Sequence, residues 1–270
     1  MTRALPPLRQ VVEAFDLAAK KSLGQHFLLD LNITRKIVRL AGISANDSIM
    51  EIGPGPGGLT RALLETGADV TAIERDHRCI AALNELGSHY PNKLTLIEQD
   101  ALSIDETTLD GAPFRIVANL PYNISTELLV KWLKHAALWR SMTLMFQREV
   151  ADRILSAPDT KSYGRLSIIA QCASLPERGF DLPARAFTPP PKVASTVVHF
   201  EPRPIATETL ENLERITRSA FSQRRKMLRT SLKPEFGDRT EQALLAVNAT
   251  GLQRAAELSP AQYLKLAGSR

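Results

Sequence analysis

The chain has 270 residues, with 34 Lys+Arg against 29 Asp+Glu, a net charge of +5, 44% hydrophobic and 23% charged residues. That balance excludes a disordered, collagenous or low-complexity chain. No run approaches the roughly 20 apolar residues of a membrane span. The length fits one large domain or a large and a small one. The N-terminal stretch carries Glu13, Asp16 and a Pro6-Pro7 pair, so it does not read as a signal peptide. The cysteines are Cys79 and Cys172 alone, without a CxxC pair. A disulfide framework and a metal site are therefore not expected, and a cytoplasmic protein without a membrane partner is. The basic excess keeps a polyanionic partner in view.

In chain order, Leu8, Val11, Val12, Phe15 and Ala19 have helical spacing over residues 8–19. Residues 20–29 read as a loop. Asp30 caps a helix to about Leu40, which Gly42 ends. A strand–helix alternation follows: strand Ser48–Ile52, helix Leu59–Thr66 stopped by Gly67, strand Asp69–Ile73, then a helix from Asp76 to about Leu86 stopped by Gly87. Strands Leu94–Ile97 and Arg115–Ala118 come next. A helix capped by Ser125 runs to about Ala137, before strand Met142–Phe146. Such alternation predicts a parallel sheet covered by helices on both faces. Residues 165–175 fit helix or strand, 187–193 read as a proline-stiffened loop, and Ser195–Phe200 as a strand. From about Thr207 onward short helices predict a small separate domain.

The first strand–helix turn reads Glu51-Ile52-Gly53-Pro54-Gly55-Pro56-Gly57-Gly58. Gly53, Gly55 and Gly58 satisfy G-x-G-x-x-G, and Glu74 follows about 20 residues after Gly53, as in a dinucleotide site. A nicotinamide-dependent dehydrogenase is thus one reading. Pro54 and Pro56, however, have no N–H to give a pyrophosphate. S-adenosylmethionine, which has no phosphate, suits the loop better. Glu74 is placed to hold its ribose through both hydroxyls, and Asp100 to accept from its adenine amine.

Asn119-Leu120-Pro121-Tyr122 follows the fourth strand, at the same edge of the sheet. An aromatic amine is a poor nucleophile because its lone pair is delocalised into the ring. Two acceptors, the Asn119 side-chain oxygen and the Leu120 carbonyl, can draw its nitrogen toward tetrahedral geometry in line with a methyl donor. Pro121 stiffens the turn. Tyr122 can stack on an extruded base, and Phe187 can supply an opposite stacking face.

These residues resemble the ribosomal RNA adenine N6,N6-dimethyltransferases, with the small-subunit members nearest. The matching stretches are LGQHFLLD (23–30), EIGPGPGGLT (51–60), IERD (73–76), EQDAL (98–102), NLPYNIST (119–126), YGRLSIIAQ (163–171), AFTPPPKVAS (186–195) and AFSQRRKMLR (220–229). The resemblance implies an α/β fold: a seven-stranded, mostly parallel Rossmann-like sheet with an antiparallel last strand, and an all-helical C-terminal domain. The implied division is an N-terminal extension (1–20), a methyltransferase domain (21–203) and a helical RNA-binding domain (204–270). Implied cofactor contacts are His26, Leu28, Gly53, Gly55, Glu74, Asp100 and Asn119. Position 26 is often Asn in the family. The implied reaction transfers four methyl groups to two adjacent adenosines near the 3′ end of 16S rRNA. The implied partner is an immature 30S subunit, approached by a monomer.

Residues 215–229 carry Arg215, Arg218, Arg224, Arg225, Lys226 and Arg229 and no acid. Read as one helix, they put 218, 225 and 229 near one face. Arg218, Arg224, Arg225, Lys226 and Arg229 are expected to neutralise RNA phosphates. A non-catalytic RNA-binding assembly factor on the same fold is the third reading.

Overall fold

The computed structural model describes residues 5–19 and 24–269. The chain begins with helix α1 (Leu8–Ala14), then β1 (Phe27–Leu28), α2 (Leu31–Ala41), β2 (Ser48–Ile52), α3 (Gly58–Leu64), β3 (Asp69–Glu74), α4 (His77–Ser88) and β4 (Leu94–Glu98). It continues through β5 (Phe114–Asn119), α5 (Ser125–Lys134), β6 (Trp139–Gln147), α6 (Arg148–Ile154), α7 (Arg165–Ala173), β7 (Ser174–Leu182), β8 (Phe187–Thr188) and β9 (Ser195–Pro202). The remainder is helical: α8 (Thr207–Phe221), α9 (Leu228–Ser231), α10 (Lys233–Phe236), α11 (Thr240–Leu245) and α12 (Pro260–Gly268). Among the described residues no helix is long and apolar enough to cross a membrane.

The expected seven-stranded sheet is present, in the order β4-β3-β2-β5-β6-β9-β7. β2 to β6 pair in parallel, and β9 runs antiparallel to β6 with Leu144 opposite Val198. Strand order reverses direction between β2 and β5, and a crevice at the carboxyl ends of the strands on either side of such a switch is where ligands bind. A second, two-stranded ladder pairs Phe27 with Thr188 and Leu28 with Phe187. It lies in two segments that read as loops, because two residues are too few to show a periodicity.

Local signals account for most element ends. The Asp30 carboxylate accepts from the Asn32 N–H and that of Asp76 from the Arg78 N–H, satisfying orphan donors of α2 and α4. Gly87, expected as a stop, lies within α4, which ends at Ser88. Ser125 does not cap α5. It is the first helical residue, and its hydroxyl donates back to the Tyr122 carbonyl at 3.1 Å. Residues 165–175 fit both periods because they contain both elements: α7 ends at Ala173 and β7 begins at Ser174.

The chain forms two compact units. One comprises Met1–Leu129, Leu138–Arg148 and Arg178–Phe200, and holds most of the sheet. One of its core clusters joins Ile37 and Val38 of α2, Leu59 and Leu63 of α3 and Val70 of β3. A satellite cluster puts Val11 and Leu17 against Cys79, Ala82 and Leu83 of α4, so residues 5–19 are packed onto this unit. The other unit comprises Val130–Ala137, Glu149–Glu177 and Glu201–Arg270. In it α7, α8 and α12 pack together, which explains why residues 149–173 group with the C-terminal helices. The Tyr163 hydroxyl donates to the Leu258 carbonyl and that of Tyr263 to the Ala255 carbonyl, both buried.

Candidate active site

The glycine loop after β2 spends three of its N–H donors on the protein itself. The Gly53 N–H donates to the Ile73 carbonyl at 2.9 Å, Gly55 to Glu74 Oε2 at 3.0 Å and Gly57 to the Pro54 carbonyl at 3.0 Å. Pro54 and Pro56 have none to give. The stretch from Gly53 to Gly57 therefore offers no free N–H group to a pyrophosphate. It is also sterically closed: a Cβ on Gly55 (φ +55°) would meet the Phe27 ring at 2.9 Å, and one on Gly58 would fall on the Leu28 carbonyl.

Glu74, at the end of β3, is 6% exposed. Its Oε2 accepts from Gly55, and its Oε1 from the N–H groups of Arg75 (2.8 Å) and Asp76 (2.7 Å). Burial pushes its pKa up, and these three N–H groups oppose that rise. A carboxylate offers about four acceptor sites. Three are spent on shaping the loop, so this side chain has little left for two ribose hydroxyls at once. Asp100 is more open: Oδ1 accepts from Leu102 N–H and Oδ2 from Arg75, both at 3.0 Å.

The cavity at this edge is lined by His26, Leu28, Gly53, Gly55, Glu74, Asp100 and Asn119, together with Leu120, Pro121 and Tyr122. All the expected cofactor residues and the whole Asn119–Tyr122 turn thus meet in one place. Gln25, Phe27 and Arg75 line it too, and so does Glu51, which sequence reading treated only as part of the loop. Glu51 is 1% exposed and its Oε2 has no hydrogen-bond partner. Burial pushes its pKa up to about 8; the Glu74 charge adds to the rise, and Thr60 draws it part of the way back. A buried carboxyl with an orphan oxygen, beside a loop whose Gly53, Gly55 and Gly57 N–H groups are already engaged, fits a ligand that brings positive charge. An acid opening G-x-G was the signal for it.

Asn119 ends β5, and its amide is oriented. Nδ2 donates to the His26 carbonyl at 3.0 Å, which leaves Oδ1 as the acceptor. The Tyr122 hydroxyl meets Ser195 Oγ at 2.6 Å, and its ring stacks on His26 with centroids 5.6 Å apart. Phe187 does not take the stacking place expected of it. It is 2% exposed, packed among Leu28, Met145 and Val197, and does not line the cavity. Its pairing with Leu28 turns its ring into the core, so it anchors the ladder and offers no stacking face.

The basic segment also departs from expectation. It is not one helix: α8 stops at Phe221 and α9 starts at Leu228, so 218, 225 and 229 share no helical face. Arg215 bonds Asn212 and pairs with Glu235. Arg224 donates to the carbonyls of Lys161 and Tyr163, an internal tie. Arg218, Arg225, Lys226 and Arg229 are exposed, and no ion pair engages them among the described residues. No group of three or more His, Cys, Asp or Glu side chains that could hold a metal occurs among the described residues.

Residues 17–269 match the family model for ribosomal RNA adenine dimethylases. The ribosomal RNA small subunit methyltransferase A of Sinorhizobium medicae is 52% identical over 269 residues, covering 97% of each chain. That of Brucella anthropi is 52% identical over 271 residues, 98% of this chain and 96% of the relative. Among solved structures, a dimethyladenosine transferase from Plasmodium falciparum superposes with a TM-score of 0.75 at 27% identity, over 89% of this chain and 96% of that one. The 23S rRNA methyltransferase ErmE gives 0.68 at 28% identity, over 90% and 98%.

Proposed function

This chain belongs to the ribosomal RNA adenine dimethylase family, and from that premise we propose that it dimethylates N6 of two adjacent adenosines in the loop of the 3′-terminal hairpin of 16S rRNA. The relatives named for small-subunit RNA support that substrate over large-subunit RNA. S-adenosylmethionine is the donor, and supplies an electrophilic methyl on a cationic sulfur. Leu28, Gly53, Gly55, Glu74, Asp100 and Asn119 hold it together with the backbone, not the side chain, of His26, with Glu51 as an acceptor toward its positive charge. The partner is an immature 30S subunit in the cytoplasm, and the enzyme acts as a monomer.

One observation carries the reading. The Asn119 amide is locked so that its oxygen remains an acceptor at the cavity. Asn119 Oδ1 and the Leu120 carbonyl accept the two amine hydrogens, which localises the nitrogen lone pair. Pro121 fixes the spacing, and the Tyr122 ring takes the base. No strong general base is required, because the amine becomes acidic only once it has attacked. Catalysis is then orientation and fixed dipoles. Arg218, Arg225, Lys226 and Arg229 neutralise RNA phosphates.

A nicotinamide enzyme is disfavoured by the spent N–H donors of the loop. The test is labelled methyl transfer to immature small subunits, with mature ones as control. Four methyl groups per immature particle are expected. Tight binding without transfer would instead identify an assembly factor.

A further inference from the structure

His26 joins three pieces of the site. Its carbonyl accepts from Asn119, and its Nδ1 lies 2.8 Å from the Pro189 carbonyl. A carbonyl only accepts, so Nδ1 carries the proton and donates. The imidazole also stacks on Tyr122, with 28° between the planes. The ladder geometry explains the arrangement. Phe27 pairs with Thr188, so Pro189 faces His26 next in register. Pro189 has no N–H, and the ladder cannot continue through a donor on that side. The His26 carbonyl goes to Asn119, and the Pro189 carbonyl takes a side-chain donor. Tyr122 is tied to the same stretch at its far end, through Ser195.

Building on the adenine methyltransferase reading, we infer that the His26 side chain is a positioning residue for the target base: its ring backs one face of Tyr122 and its Nδ1–H ties residue 189, which leaves the opposite face for the adenine. The two functions separate chemically. Asn places Nδ2 where imidazole has Nδ1, so His26→Asn keeps the donor and loses the ring. His26→Phe keeps the ring and loses the donor. The ring is an addition at a position that is often Asn in the family.

The experiment uses immature small subunits reassembled on 16S rRNA with 2-aminopurine at the first target position, whose fluorescence is quenched on stacking. His26→Ala and His26→Asn should each lose most of the quench and slow single-turnover methylation of unlabelled particles by about tenfold, the upper end for one aromatic pair. S-adenosylmethionine affinity should stay within about twofold of the parent. His26→Phe should keep the quench. In the free protein, the ring-current shift of the Tyr122 protons should vanish in His26→Asn and persist in His26→Phe. If the parent chain methylates while His26→Ala quenches and turns over equally well, or loses cofactor affinity alone, the inference is wrong and the function stands. A parent chain that neither methylates nor quenches overturns both.

Discussion

Asn119 and Tyr122 are each held by one end and free at the other. The Asn119 amine end is spent on the His26 carbonyl, and the Tyr122 hydroxyl on Ser195. Replacing Asn119 with Ala should therefore cost rate more than RNA affinity, because its oxygen acts while the methyl moves. A fall of about 10²–10³-fold in single-turnover methylation is expected, the range for one preorganised polar group. A parent-like rate would remove the amine-orienting role. The motif made these two residues legible, since the turn is four consecutive positions after a strand. Glu51 was not legible as an active group, because its state depends on burial, and burial is a tertiary fact. Its folded pKa of about 8 lies above the ordinary 4.5. The folded chain thus keeps a proton that the unfolded chain releases. Its stabilising effect is fully present below about pH 4.5 and is lost as pH rises through about 8, at up to about 1.4 kcal/mol per pH unit. Glu51→Gln cannot lose that proton. Its melting temperature should gain on the parent steadily from pH 5 to pH 8, and a constant gap would mean that Glu51 is already ionised when folded.

At the scale of elements, the alternation of strands and capped helices was readable because each carries its own period and its own stop. The ladder of β1 and β8 was not, and its β1 strand, Phe27 and Leu28, lines the cavity. Two glycines separate the local from the tertiary contribution. Gly42 ends α2 in the left-handed region (φ +63°) with open space around it. Gly42→Ala should cost about 1–2 kcal/mol, the strain of that conformation, and nothing else. Gly58 has an ordinary helical backbone, but a Cβ there would collide with the Leu28 carbonyl. Gly58→Ala should cost about 1–3 kcal/mol as overpacking and also push the ladder off the loop. Urea melts and calorimetric S-adenosylmethionine titrations of both variants check this. The expected pattern is two destabilised proteins, of which Gly58→Ala alone binds the cofactor weakly. Parent-like affinity in Gly58→Ala would show that the ladder can shift without disturbing the cavity.

Over the whole molecule the net charge is only +5, too small to set RNA affinity by itself. What matters is which cations are free. Of six basic residues between 215 and 229, the five from 218 onward were expected alike to meet phosphate, because charge is visible in sequence and pairing is not. Folding takes Arg215 and Arg224 out of that set, one for Asn212 and Glu235, the other for two backbone carbonyls. The two kinds of residue should therefore respond differently to the same substitution. Changing Arg225, Lys226 and Arg229 together to Ala should leave the melting temperature and cofactor affinity near those of the parent. It should flatten the dependence of log binding constant on log salt by about 0.7–0.9 per lost phosphate contact, the lower figure for single strands and the higher for duplex. Arg224→Ala should do the reverse. It unties the Lys161 and Tyr163 carbonyls, so stability should fall by about 1–3 kcal/mol, the cost of charged hydrogen bonds and stranded acceptors, while the salt slope holds. Binding of 16S rRNA measured from 50 to 200 mM salt, beside thermal melts, decides it. A triple variant with the parent slope would mean that those three side chains face solvent in the complex. A flattened slope in Arg224→Ala would mean that its internal tie gives way to phosphate when RNA binds.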